Sequence, residues 1–307
     1  MTLKQLQRKL IYTTGFGFFV ICSLILRYLP LPLLYGFARA LAIVAYTLGV
    51  PFRKVADANL KASYGKELSK AQRRRIVRDC FSSIVKSAIE VVSVIGKSTA
   101  FIKSRYRLVD KKHLDRALAK GKGVILVSAH FGNFPMMVVR LACEGYKAGA
   151  IMRPLKDERF ERYLSGERDR FRINTIKSLP RKECVLTTIR CLRNNEVIFL
   201  PLDQNFGTGG VFVDYFGRKA ATATGPVILA QRTGAALIPC FIIRQKDNRH
   251  VIVFEPEVPL EQGSTEEESI LINVQRLTSV IESYVRQYPA EWSWIHRRWK
   301  AQPRISG

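Results

Sequence analysis

An uncharged, largely apolar stretch runs from Leu10 to Leu26, between Arg8-Lys9 and Arg27. As a helix it would measure about 25 Å, just short of a hydrocarbon core of roughly 30 Å. No small-residue cleavage site follows; a second apolar stretch does, broken by Pro30, Pro32 and Pro51. The pattern predicts an uncleaved anchor and then an interfacial or re-entrant segment, together residues 1–54. The competing reading is a buried N-terminal hairpin. Positive charges flank both ends, so charge does not dictate a single crossing.

Beyond residue 55 the rhythm changes. From Asp57 to Lys97 it is helical, with Ser69 as a candidate N-cap and Ile76, Cys80, Ile84, Ala88 and Val91 on one stripe. Short apolar runs then alternate with helical stretches. "GVILVSAH" ending at His130, "AGAIMRP", "VIFLPLDQ", "AALIPCFIIRQ" and "HVIVFEPEV" predict strands. Between and after them, "FPMMVVRLACEG", "KDERFERYLSGERDRF", "GPVILAQRTG" and "EESILINVQRLTSVIESYVRQYP" predict helices. The expected fold is α/β, with a mostly parallel central sheet flanked by helices over residues 55–307 and an N-terminal membrane-anchor helix before it.

Charge narrows the partners. Fifty Lys and Arg face 25 Asp and Glu in 307 residues, a formal charge of +25. Such a field attracts polyanions: nucleic acid, an anionic membrane, acidic lipids or carrier proteins. Aromatic residues are not interleaved with the basic runs as base-stacking platforms would be, and no nucleic-acid motif is present, so nucleic acid is not the expected partner. The six cysteines are scattered without a CxxC pair, which predicts buried free thiols rather than a metal site or disulfide scaffold. No metal or cofactor is expected.

In an open parallel sheet, ligands meet the carboxyl ends of the strands. His130, one of four histidines, stands at such an end. Asp203 and Gln204 follow "VIFLPL", and Arg153 follows "GAIM". These groups are the candidate site. His296 is expected to be packed, while His113 and His250 lie in polar, loop-edge contexts and receive no role. The arginines of "MRPLKDERFERYLSGERDRFR", Arg153 apart, are expected to pair with neighbouring acids on a solvated helix.

The motif "SAHFGN" resembles the histidine block, H-x-x-x-x-[D/E], of the lysophospholipid-type acyltransferases, specifically the late acyltransferases of lipid A biosynthesis. "IMRPLKDERFERYL", "LPLDQNFGTGGVFVDYFGRKAATATGP" and "PAEWSWIHRRWK" are similar to the family's later blocks, in order and over nearly the whole chain. The resemblance implies acyl transfer from an acyl-carrier protein to a hydroxyl of a lipid A precursor or related anionic glycolipid. It also implies a bacterial inner membrane location with the catalytic domain facing the cytoplasm. His130 would be the general base, and backbone N–H groups around Gly132 and Asn133 would hold the oxyanion. Arg153 would clamp the anionic acceptor, with Gln204, Arg218 and Thr224 as further contacts; an N-cap by Thr224 is an equal alternative. Phe212, Tyr215 and Phe216, in a Gly-rich stretch otherwise readable as a loop, would wall the acyl and acceptor pocket. The tryptophan block reads first as an aromatic belt or a C-terminal core plug.

One position departs from the family pattern. Its acid would fall on Pro135. Either another carboxylate serves, Asp203 first and Asp214 second, or catalysis is weak. A glycerol-phosphate acyltransferase is disfavoured because "A-H" and "LPLDQN" replace its usual blocks. A non-catalytic lipid-binding relative finds its support in Pro135 alone.

Overall fold

The computed structural model describes residues 3–155 and 157–303, with side chains from residue 13 onward and Thr208 by its backbone only. Four helices come first: α1 (Leu3–Tyr28), α2 (Leu31–Leu48), α3 (Val50–Tyr64) and α4 (Lys70–Ser93). The anticipated interfacial stretch is thus regular helix. Its prolines punctuate rather than disrupt, because Pro30 caps α2 while Pro32 and Pro51 sit in first turns, where an amide has no helical partner to lose. The boundary expected after Lys54 falls inside α3. Ser69 caps α4 through a reciprocal capping box with Gln72, as its position suggested.

The expected anchor, residues 10–26, lies partly outside the residues whose side chains are described. Among the described residues, α2 is the helix long and apolar enough to cross a bilayer, at mean hydropathy 1.5; the apolar part of α1, Thr13–Tyr28, is shorter. One face of α2 buries Leu34, Ala38 and Ala42, with Leu34 and Ala38 packed in a cluster with Ile89 of α4. Leu33, Phe37, Leu41, Val44 and Leu48 stay exposed.

The α/β body continues with α5 (Thr99–Arg105), β1 (Tyr106–Val109), α6 (Lys112–Leu118), β2 (Val124–Ser128), α7 (Pro135–Cys143), β3 (Ala148–Met152), α8 (Glu158–Arg170) and β4 (Asn174–Lys177). After these come α9 (Arg181–Arg193), β5 (Val197–Pro201), β6 (Val211–Tyr215), β7 (Arg218–Thr222), α10 (Gly225–Thr233), β8 (Ala236–Arg244), β9 (His250–Phe254) and α11 (Glu266–Gln287). The five expected strands are β2, β3, β5, β8 and β9. The Gly-rich stretch holds a hairpin, β6–β7, whose two-residue turn puts Phe216 and Gly217 at positive φ.

Seven strands form one sheet in the order β1-β9-β8-β2-β5-β3-β4. All neighbours are parallel except β8 and β9. The carboxyl ends of β2, β3, β4, β5 and β8 therefore share an edge with the amino ends of β1 and β9. Alternate residues of β2 feed opposite apolar layers, Ile125 and Val127 to one and Val124 and Leu126 to the other. Four of the six cysteines are buried, and all six are free.

Candidate active site

The register between β2 and β5 builds the site. Val124 lies beside Val197 and Ser128 beside Pro201. Carried two residues further, this offset sets His130 beside Asp203. Adjacent strands run about 4.8 Å apart, so the two side chains meet at the shared edge. Asp203 Oδ1 lies 2.8 Å from His130 Nδ1, and its Oδ2 accepts the His130 backbone N–H at 3.0 Å. Trp292 Nε1 donates to that same Oδ2 at 2.8 Å.

The electrostatics are those of a buried dyad. The Asp203 side chain is 3% exposed, against 27% for His130. Burial pushes the Asp203 carboxyl upward. The hydrogen bond and charge of His130, with the Trp292 and backbone donors, outweigh it and hold the carboxyl below its ordinary range. Burial opposes the imidazolium too, yet the carboxylate's hydrogen bond and charge raise His130 overall. An ionised Asp203 accepts only, so the neutral ring carries its proton on Nδ1 and leaves Nε2 with a lone pair. Gln204 Nε2 sits 3.1 Å from His130 Nε2.

Past His130 the chain turns sharply. Gly132 has φ +54°, and a Cβ there would collide with the Ile242 carbonyl oxygen. The turn delivers Pro135 to the first position of α7, where it needs no amide. Pro135, Phe134, Val91, Val138, Phe171 and Phe199 help line an apolar cavity of about 410 Å³ that His130 also lines. That volume suits a small-molecule site, which runs to about 300–1,000 Å³. The position of the missing family acid is thus part of an apolar wall.

The C-terminal segment locks this loop. Gly132 N donates to the Glu291 carbonyl at 2.8 Å and Ser293 N to that of His130 at 3.2 Å. Arg298, fully buried, donates to the carbonyls of Gln204 and Ala221. Trp292 and Trp294 are buried as a core plug, one of the two expected alternatives, but the hydrogen bond from Trp292 to Asp203 was not foreseen. Only the clustering of tryptophan with arginine hinted at it. His296 is packed as expected, its Nε2 accepting from Asn205 N at 3.1 Å.

Other candidates lie elsewhere or face another way. The Gly132 N–H is spent on Glu291, so it is not free for an oxyanion; among the described residues, the Asn133 and Phe134 amides donate to no protein acceptor. The Asn133 side chain turns inward, donating to Glu90 Oε2 at 2.8 Å and to the Tyr106 hydroxyl at 3.3 Å. Glu90 also binds Arg244, and burial pushes nearby His250 down to about 4. His250 is buried and stacked on Tyr106, not at a polar loop edge, because β9 begins inside the sheet. Arg153 stands exposed at the end of β3, outside the cavity wall. Asp214 is exposed on β6 beside Lys219, away from His130. Arg218 stacks over Trp299 in a separate cleft, and Thr224 precedes α10 without a side-chain cap bond. Tyr215 and Phe216 pack among Tyr64, Trp292, Trp294 and Trp299 rather than in the cavity; Phe212 does not line it either.

Comparison with known proteins gives the family. The family model described as bacterial lipid A biosynthesis acyltransferase matches residues 3–301.

The chain belongs to that acyltransferase family.

It is 25% identical over 281 residues to the lipid A biosynthesis lauroyltransferase of Escherichia coli (strain K12), covering 90% of this chain and 88% of that one. The phosphatidylinositol mannoside acyltransferase of Mycolicibacterium smegmatis is 28% identical over 196 residues, 63% of this chain and 62% of its own. Among solved structures, the 1-acyl-sn-glycerophosphate acyltransferase PlsC of Thermotoga maritima aligns over 81% of this chain and 98% of its own, with TM-score 0.37 and 13% identity. This family member is a lipid acyltransferase.

Proposed function

We propose that the protein moves a fatty acyl chain from acyl-carrier protein to a hydroxyl of a lipid A precursor or related anionic glycolipid. The observation that carries this is the His130–Asp203 dyad at an apolar cavity. The donor's chain lies in the cavity, which places its thioester carbonyl beside His130. The acceptor hydroxyl displaces the Gln204 amide from Nε2. His130 takes the hydroxyl proton as the oxygen attacks the carbonyl carbon. The Asn133 and Phe134 amides, at the opening of α7, stabilise the resulting oxyanion. Collapse breaks the carbon–sulfur bond; the imidazolium returns its proton to the departing thiolate, and ester and free carrier thiol leave. Asp203 holds the tautomer and stabilises the imidazolium. No metal or cofactor is needed for these steps.

The exposed apolar faces of α1 and α2 support attachment to the bacterial inner membrane, with the catalytic domain on the cytoplasmic side where acyl-carrier protein is found. The +25 charge suits both an acidic carrier and an anionic leaflet.

The test is acyl transfer from radiolabelled acyl-carrier protein, in membranes carrying wild type, His130→Ala or Asp203→Ala. A lipid A precursor and a phosphatidylinositol mannoside serve as parallel acceptors, since relatives of both kinds are similar to this chain. Labelled product that vanishes with His130→Ala supports the assignment. Wild type inert toward both acceptors across several chain lengths would point to a lipid-binding protein instead.

A further inference from the structure

The edge of the sheet that carries His130 continues through β8 to β9 and β1, and there it turns basic. A groove of about 650 Å³ lies between the end of α5, the start of β1 and the β8–β9 turn. Lys103, Arg105, Arg107, Lys246 and Arg249 line it, with Asp247 the one acid among its lining residues. Lys103 pairs with Glu144, and Arg249 with Asp247. Among the described residues, Arg105, Arg107 and Lys246 have no carboxylate partner. Arg105 is nonetheless held in place, donating to the Asn248 carbonyl at 2.6 Å and to the Tyr35 hydroxyl at 3.0 Å. Three cations without a carboxylate partner, beside one acid already paired with Arg249, leave the groove with a net positive charge that favours an anion.

Two further features define that anion. Strands β9 and β1 are two and three places from β2 in the sheet, which puts the groove roughly 10–15 Å from His130 at about 4.8 Å per strand. A sugar headgroup can bridge that span. Tyr35 belongs to α2, and its neighbours Leu33 and Phe37 are exposed on that helix. The groove therefore borders α2, whose other face is apolar and exposed. A concave site with fixed guanidinium geometry suits a compact tetrahedral anion better than the broad face of an acidic protein.

We propose that this groove binds a phosphate group of the membrane lipid acceptor while its hydroxyl reaches His130. The word acceptor rests on the acyl-transfer function proposed above; phosphate binding in the groove does not.

The test uses purified full-length protein and flotation with vesicles of phosphatidylcholine, alone or with a minor fraction of phosphatidic acid. The variant is Arg107→Gln/Lys246→Gln. Its control is Lys122→Gln/Arg193→Gln, an equal charge change on exposed residues at the opposite edge of the sheet. Phosphatidic acid should strengthen wild-type binding, and the groove variant should lose about 30-fold of that gain, taking two basic residues at a membrane surface. The control should retain it. Equal losses in both variants, or none in either, overturn the proposal. Millimolar inorganic phosphate at constant ionic strength should compete with this binding; wild type that binds inorganic phosphate through the groove but gains nothing from phosphatidic acid would make free phosphate the ligand and overturn the proposal. Binding of acyl-carrier protein lost in the groove variant while vesicle binding persists would assign the groove to the carrier and also overturn it. In the transfer assay the groove variant should raise KM for a phosphorylated acceptor at unchanged kcat. A wild type that binds phosphatidic acid through the groove yet transfers no acyl group would count against the acyl-transfer function alone.

Discussion

One carboxylate, Asp203, receives Trp292 Nε1 on the oxygen that also takes the His130 backbone amide, while its other oxygen faces His130 Nδ1. All three donors point at a group with almost no contact with water. Asp203 is therefore fixed in position and in charge, and the tautomer of His130 follows from it.

Asp203→Asn should lower kcat about 10⁴-fold, the scale seen when a tautomer-holding acid is lost from a comparable dyad. General-base transfer needs neutral His130, so the wild-type rate should climb as pH rises through the raised His130 pKa. In the variant the residual activity should climb at lower pH, because the carboxylate that raised it is gone. A pH–rate profile of the two proteins checks both points; an unmoved acidic limb would mean that another group titrates.

The dyad also predicts how stability depends on pH. His130 has a raised folded pKa, so its contribution is complete below the ordinary histidine value of 6.5 and fades as pH rises through the folded one. Asp203 has a lowered folded pKa, so its contribution is complete above the ordinary carboxyl value of 3.8 and fades as pH falls through the folded one. The stability gap between wild type and Asp203→Asn should be widest between these two values. Urea unfolding of both proteins at several pH values measures it, and a gap that keeps growing toward alkaline pH would contradict the pairing.

Pro135→Glu restores the family's acid in sequence but should not restore its function. The new carboxyl would stand at the exposed rim of the apolar cavity, and Nδ1 of His130 is already taken by Asp203. Transfer should fall in the single variant and stay lost in Asp203→Asn/Pro135→Glu. Rescue in the double variant would show that Glu at this position can reach the ring.

Gly132→Ala should destabilise the protein by about 2 kcal/mol or more, from a non-glycine residue at positive φ and from the clash with the Ile242 carbonyl oxygen. Activity should drop with it, since this turn carries His130 into α7. Thermal unfolding and the transfer assay should move together.

Ala150 is buried and lines the cavity. Ala150→Leu should shift donor preference toward shorter acyl chains, at a packing cost of about 1–3 kcal/mol. Competition among acyl-carrier proteins of different chain lengths reads this directly. An unchanged preference would place the chain elsewhere.

Much of the fold was legible because its signals are local. Five strands announced themselves as short apolar runs bounded by turn residues, and Ser69 marked the start of α4 through its own hydroxyl. The strands that escaped notice, β1, β4, β6 and β7, are four or five residues long, and they lie at the sheet's edges or in a small hairpin. Exposure there blurs the apolar pattern. The prolines near the N-terminus suggested broken structure, whereas their place in first turns made them helix starts.

The site divides the same way. Sequence alone marked His130 and Asp203 as strand-end groups, since a strand's end depends on nearby residues. That they touch depends on the β2–β5 register, which cross-strand packing decides over a separation of 73 residues. The same long-range packing brings Trp292 onto Asp203, lines the cavity with Pro135 and gathers Arg105, Arg107 and Lys246 around one groove. Local chemistry determined which residues could act; tertiary packing decided which of them meet.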